Sequence, residues 1–135
     1  MDKVVAVIEF DGKILTGKVK EEKLADFGGI AYVFPGGATE SNETPEQAVR
    51  REAKEETGLD VELIKKIGER SHPKTGKTIH YFHCRTTSQQ TKVDPTKNDD
   101  LESLAWVPIS ELQTNMPTLF PAVKDYLMVL PGTTV

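Results

Sequence analysis

At 135 residues, with 37% hydrophobic and 28% charged side chains, the chain has the composition of one globular domain, residues 1–135, and enough length to bury a core. Its net charge of −4 excludes the basic excess that broad nucleic-acid binding requires. The apolar run Val4 to Ile8 is too short for a membrane span or a signal core, and the single Cys84 offers no intrachain disulfide, so a cytoplasmic protein with no membrane partner is expected.

Val4 to Phe10 is β-branched and apolar, Asp11-Gly12 is a hairpin turn signal, and Lys13 to Val19 continues as the second strand. Lys20 to Gly29 is charged and closes on two glycines, which predicts a loop. Ile30 to Phe34 reads as a short buried strand that feeds a glycine loop, Pro35 to Gly37. Glycines there let the backbone approach a phosphate or a metal closely.

The next stretch predicts a helix with well-formed ends. Thr44, Pro45, Glu46 and Gln47 make a capping box with proline at the first helical position, and Gly58 supplies the stop. Ala48, Val49 and Ala53 form the apolar stripe, while Gln47, Arg50 and Lys54 face solvent. Glu52, Glu55 and Glu56 stand at i, i+3 and i+4 beside that stripe. Like charges at these spacings each cost about 0.2–0.5 kcal/mol in an isolated helix, and the last turn is the negative end of the helix dipole. A bound divalent cation would convert this repulsion into coordination.

Val61 to Ile67 returns as a strand, Ser71 to Lys77 reads as a hairpin tip, and Thr78 to Arg85 alternates Ile79, Tyr81, His83 with His80, Phe82, Cys84. The two histidines diverge, so zinc is not expected, and Cys84 reads as a small buried hydrophobe. Ser88 to Asp100 is a polar loop, and Leu101 to Val107 is a last strand carrying Trp106. Pro117 to Leu130 predicts one amphipathic helix with a core face of Ala122, Val123, Tyr126, Leu127 and Leu130, before a disordered tail from Pro131. Strands mixed with two helices indicate an α+β chain with a mixed sheet covered on both sides.

Gly37, five residues, Glu43, seven residues, then Arg51-Glu52-Ala53-Lys54-Glu55-Glu56-Thr57-Gly58-Leu59 resembles an unbroken Nudix box, the signature of the MutT-like Nudix hydrolases. The resemblance implies the Nudix fold, an α/β/α sandwich with a mixed β-sheet. It also implies a metal-dependent pyrophosphohydrolase that cleaves the diphosphate linkage of a nucleoside diphosphate derivative. That substrate class spans nucleoside triphosphates, oxidised ones included, and nucleotide sugars such as ADP-ribose. Carried onto this chain, Glu52, Glu55, Glu56 and the Gly37 carbonyl would hold Mg²⁺, with Mn²⁺ as a substitute for these hard oxygen ligands. Glu52 would be the base or water-orienting group, and Arg51 and Glu43 would hold the constellation in place. Arg51 and Glu55 are also i, i+4 partners, and a structural ion pair accounts for Arg51 almost as well.

Relatives often carry a further acid one or three residues before the tryptophan of the last strand, where this chain has Ala105 and Ser103. Glu102 is the favoured substitute and Asp100 the alternative. Substrate contacts are open: Arg70, Lys74, Lys77 and Arg85 are candidates for phosphates, and Asn115 for a base. A non-catalytic Nudix-type nucleotide-binding sensor is the alternative function, and an isomerase using the Cys84 thiol a third. The expected partner is a small nucleotide, and the expected state a monomer or a homodimer.

Overall fold

A computed structural model describes residues 1–91 and 100–130. Its elements in chain order are β1 Lys3–Phe10, β2 Lys13–Val19, a 3-10 helix Glu21–Phe27, β3 Tyr32–Val33, β4 Gly36–Ala38, α1 Pro45–Thr57, β5 Glu62–Ser71, β6 Thr78–Arg85, β7 Leu101–Pro108, α2 Ile109–Asn115 and α3 Pro121–Met128. Seven strands form one mixed sheet, in the order β3-β2-β1-β6-β5, with β4 added to β1 and β7 added to β2. The pairing of β1 with β6 is parallel and the others are antiparallel.

β1 and β6 lie at the centre of the sheet, so both of their faces are covered and both read as near-continuous apolar runs. On one face Val4, Ala6, Ile8, Leu15, Phe82 and Cys84 pack against Ala48, Val49 and Ala53 of α1. On the other, Val7, Ile79 and Tyr81 meet Leu112 of α2 and Val123 and Leu127 of α3. The expected three-layer arrangement, helix on sheet on helices, is therefore present. No helix among the described residues is long and apolar enough to cross a membrane.

The β1–β2 hairpin turns through Asp11 and Gly12, both at positive φ (52° and 76°) as a tight type I′ turn requires. The two strands pair directly only at Glu9–Ile14 and Phe10–Lys13 and then diverge. Into the fork enter β3, paired to β2, and β4, paired to β1. The expected glycine loop is thus a strand, because Gly36 can lie flat against β1 where a larger residue cannot. A Cβ on Gly36 would come within 2.2 Å of the Val4 carbonyl oxygen.

Three other expectations change. The charged loop after β2 is a 3-10 helix closed by Gly28 in the left-handed region at φ 63°. The buried strand expected over residues 30–34 shrinks to Tyr32–Val33, and Ile30 is 43% exposed, since the edge position leaves one side open. The C-terminal helix expected over Pro117–Leu130 is present but shorter, α3 at Pro121–Met128, and a further helix, α2, ends just before that range. Met116 and Phe120 each precede a proline, which disfavours helical backbone, and they take extended ψ values of 71° and 123°. Pro121 then opens α3 at its first position. α2 was not foreseen: its seven residues bury only Ile109 and Leu112, too few to show a period. The central part of the expected 88–100 loop and the tail from Pro131 lie outside the described residues.

A buried polar group ties α3 to the sheet. His83, 1% exposed, bonds through Nε2 to Glu9 Oε1 at 2.7 Å and through Nδ1 to the Tyr126 hydroxyl at 2.8 Å. Burial lowers the His83 pKa below its ordinary value, while the bond to Glu9 works in the opposite direction. His80 faces the α1 side and meets Asp2 Oδ2 at 2.7 Å, so the two histidines diverge as expected.

The close approach at β4 yields a prediction. Gly36→Ala should destabilise the protein by about 1–3 kcal/mol, the usual cost of forcing an extra methyl into packed surroundings. The measurement is the urea midpoint at unchanged m-value; an unchanged midpoint would mean that β4 is not held against β1.

Candidate active site

Helix α1 forms because its ends are satisfied and one stripe is buried. The Thr44 hydroxyl accepts from the Gln47 N–H at 3.1 Å and the Thr44 N–H donates to Gln47 Oε1 at 3.0 Å, completing the capping box. Pro45 occupies the first helical position, and Gly58 closes the helix at φ 76°. Ala48, Val49 and Ala53 are fully buried, and burying a side chain the size of Val49 contributes about 1.5–3 kcal/mol. That docking fixes the rotation of the helix and turns its glutamates toward β4.

Arg51 collects the acids. Its Nε donates to Glu43 Oε2 at 2.7 Å and its Nη2 to Glu43 Oε1 at 3.0 Å, a two-pronged pair. Nη1 donates to Glu52 Oε1 and to Glu55 Oε2, each at 3.1 Å, and Nη2 also reaches the Ala38 carbonyl at 3.0 Å. One guanidinium therefore joins the segment before α1, two successive turns of the helix and the end of β4. The hydrogen bonds to Arg51 hold the Glu43 carboxyl below its usual pKa, and the bond to Glu43 raises Arg51 above its own. This side chain offsets repulsion among Glu43, Glu52 and Glu55.

Glu52 differs from Glu43 although they share Arg51. Desolvation raises its pKa, and the pull of Arg51 in the other direction does not reverse the shift. Its carboxylate lies flat against the backbone of β4: a Cβ on Gly37 would stand 2.6 Å from the Glu52 carboxylate. Glycine is needed at 37 for that contact, just as it is needed at 36 for the strand. Glu56, 9% exposed, accepts the Gly36 N–H through Oε2 at 2.6 Å. The two adjacent glycines thus each serve one glutamate.

Glu52 and Glu56 border a cavity of about 570 Å³ that opens at the fork between β1 and β2. Aromatic and aliphatic side chains from several elements, Phe27, Tyr32, Phe34, Tyr81 and Phe120 among them, make up much of its wall. Lys3, Arg70 and Asp100 bring charge to it. Among the described residues, no three carboxylate, imidazole or thiolate groups are gathered closely enough to enclose an ion. The donor set nonetheless fits a hard divalent cation: three carboxylates on consecutive turns, every donor atom an oxygen. Glu55 is 35% exposed and, among the described residues, held by Arg51 alone, so it can rotate toward Glu52 and Glu56.

Of the remaining sequence candidates, Glu102 lies away from the cavity. It is 56% exposed, pairs with Lys18 Nζ at 3.4 Å and does not line the cavity, whereas Asp100 does. The reason is a register shift where β7 meets β2: Lys18 faces Ser103 and Val19 faces Leu101, which leaves Glu102 as the extra residue of a bulge. Simple alternation does not survive such a bulge. Asn115 ends α2 outside the cavity and its neighbour Met116 lines it. Arg70 lines the cavity, whereas Lys74 and Lys77 stay at the hairpin tip and Arg85 pairs with Glu9 at 3.4 Å. Lys3 was missed; the alternation of β1 places it with Val5 and Val7, a usable signal. Cys84 is fully buried and its thiol is pushed up to about 12, which removes the nucleophile an isomerase would need.

The profile of the NUDIX domain family matches residues 2–128. A MutT-like protein of Streptomyces ambofaciens is 33% identical over 128 residues, which cover 89% of this chain and 79% of that protein. An 8-oxo-dGTP diphosphatase of Proteus vulgaris is 49% identical over 43 residues, 32% of this chain and 38% of its own length. Among solved structures, a NUDIX-family hydrolase from Clostridium perfringens superposes with a TM-score of 0.71 at 24% identity, covering 93% of this chain and 94% of that one.

The Arg51–Glu43 pair makes a stability prediction with a definite pH window. Glu43→Gln should cost about 1.5–3 kcal/mol at neutral pH, the scale of a hydrogen bond to a charged group. Because the folded-state pKa of Glu43 lies below its ordinary 4.5, this stability is complete above that pH and is lost as pH falls through the folded value. Denaturation of both proteins from pH 7 to pH 3 should therefore show the gap closing on acidification. A gap that stays constant would remove Glu43 from the clamp.

Proposed function

This chain belongs to the Nudix family of hydrolases, and from that premise we propose that it is a divalent-metal-dependent pyrophosphohydrolase of nucleoside triphosphates. The observation that carries the reading is the placement of Glu52 and Glu56 on the rim of a cavity that is apolar and aromatic for much of its wall. A polyphosphate needs the first and a base needs the second. The name of the Proteus relative, a diphosphatase of 8-oxo-dGTP, supports this substrate class.

The overall change is attack of water on a phosphorus of the triphosphate chain, breakage of one P–O bond of the anhydride, and release of nucleoside monophosphate and pyrophosphate. Glu55, Glu56, Glu52 and the Gly37 carbonyl would hold Mg²⁺ or Mn²⁺, with Asp100 in place of Glu102 as the further acid from the cavity wall. When bound, the ion supplies charge neutralisation on the phosphate oxygens and acidifies water. Glu52 is assigned the proton of the attacking water. Its desolvation, which raises its affinity for a proton, suits that role. Arg51 and Glu43 are positioning residues: they hold Glu52 and Glu55 from the side away from the cavity, leaving the remaining carboxylate oxygens to ligands. Lys3, one strand from Ala38, supplies a cation to the phosphates.

The test is a panel of nucleoside triphosphates and nucleotide sugars with Mg²⁺, with products identified by phosphorus NMR. Monophosphate and pyrophosphate from a triphosphate support the reading. Binding of nucleotides without turnover under Mg²⁺ and Mn²⁺ would establish the non-catalytic sensor instead.

Glu56→Gln separates ligation from folding. The amide keeps an oxygen for the Gly36 N–H, so the metal-free melting temperature should hold within a few degrees. Turnover at saturating Mg²⁺ should fall at least tenfold. A smaller loss, or marked unfolding without metal, would assign Glu56 a structural role alone.

A further inference from the structure

The end of the cavity farthest from the glutamates carries a cation that the hydrolysis does not use. Residues paired across adjacent strands share a face of the sheet. The row Ala38, Lys3, Ile79, Arg70 therefore crosses the cavity floor from β4 through β1 and β6 to β5. Three strand spacings of about 4.8 Å place the Arg70 backbone about 14 Å from that of Ala38. With a diphosphate seated at Glu52 and Glu56, that span is left for the rest of a nucleotide.

The shelf that holds Arg70 is built from several elements. Gly68 has no side chain, and Phe120, from the link between α2 and α3, lies over it; a Cβ there would be 4.0 Å from the Phe120 ring. Phe120 packs on Tyr81 with ring centroids 4.9 Å apart. The Arg70 guanidinium sits 5.3 Å from the Phe120 centroid and 5.9 Å from that of Tyr81, and its Nε donates to the Tyr81 hydroxyl at 3.0 Å. These contacts orient the guanidinium plane and leave both terminal nitrogens as a fork of donors. No carboxylate among the described residues pairs with that fork.

Two coplanar donors beside aromatic rings complement a nucleobase edge that carries two adjacent acceptors. Guanine presents such an edge at O6 and N7, and cytosine at O2 and N3; adenine sets an amino donor beside N7, which repels the fork. We propose that Arg70 is the specificity-determining residue of this cavity, reading the paired-acceptor edge of guanine or cytosine and rejecting adenine. The proposal rests on the nucleoside triphosphate reading above and names the bases it selects.

The experiment measures kcat/KM for dGTP, dCTP and dATP with the native protein, Arg70→Gln and Arg70→Lys, together with the Kd of the corresponding α,β-methylene analogues without metal. The native protein should favour dGTP or dCTP over dATP at least tenfold in both measurements. Glutamine matches the N6 and N7 edge of adenine, so Arg70→Gln should narrow or invert that ratio at least tenfold, partly through a gain for dATP. Arg70→Lys keeps the charge but not the fork and should also lose the ratio. Arg70 is exposed, and unchanged melting temperatures will verify that both variants fold. A native protein indifferent to the base, an unchanged ratio in both variants, or an equal fall for all three nucleotides would overturn the proposal, the last by assigning Arg70 to phosphate or sugar. If no triphosphate is bound or hydrolysed by the native protein, the functional reading itself fails.

Discussion

One guanidinium makes this site possible. Acids at 52, 55 and 56 on a short helix, with Glu43 just before it, would repel one another and leave the helix C-terminus worse off. Arg51 meets Glu43 through two bonds, reaches Glu52 and Glu55 from a single nitrogen and ties these three to the carbonyl of Ala38, while Glu56 is held by the Gly36 N–H. It is largely withdrawn from solvent, with 23% of its side chain exposed, so these pairs are screened less than surface pairs would be. Arg51 thus holds Glu43, Glu52 and Glu55 in alignment through its own hydrogen bonds.

The fork between β1 and β2 is the second constraint. A hairpin that stayed paired along its length would close the sheet and leave no cavity. Because pairing stops after Phe10–Lys13 and Glu9–Ile14, β3 and β4 enter, and β4 brings Gly36 and Gly37 against β1 and under α1. The glycines serve the sheet and the site together: one allows the approach to Val4, and the other makes room for the Glu52 carboxylate. On the opposite face α3 is anchored through Tyr126 to His83 and Glu9, and it carries the Phe120 that closes the far end of the cavity. The two helical layers therefore each supply one end of the same pocket.

Elements with local signals were legible in the sequence. The capping box, the Asp11-Gly12 turn and the central strand over residues 78–85 all appear where their residues place them. Elements defined by a partner were not. β4 is three residues, two of them glycine, and is a strand only because β1 is beside it. The bulge that turns Glu102 outward depends on the pairing of β7 with β2, and nothing in residues 100–103 announces it. Arg70 stood among four basic candidates in one hairpin region until Phe120, about fifty residues later, selected it. The resemblance of residues 37–59 to the Nudix box located the acids, while the side chain that neutralises them had to be weighed against a merely local ion pair.

The central claim, that Arg51 makes this arrangement of carboxylates stable, is tested most directly by a double-mutant cycle of Arg51→Gln and Glu52→Gln, with unfolding measured at pH 7 without divalent ions. If Arg51 neutralises the cluster, Glu52→Gln should cost little or destabilise slightly in the native background, and should stabilise the Arg51→Gln background by relieving unpaired charge. The coupling should then be at least about 1 kcal/mol, within the range found for residues that share one ion-pair network. Effects that add to within about 0.5 kcal/mol would contradict the account and would show that the carboxylates tolerate one another without Arg51.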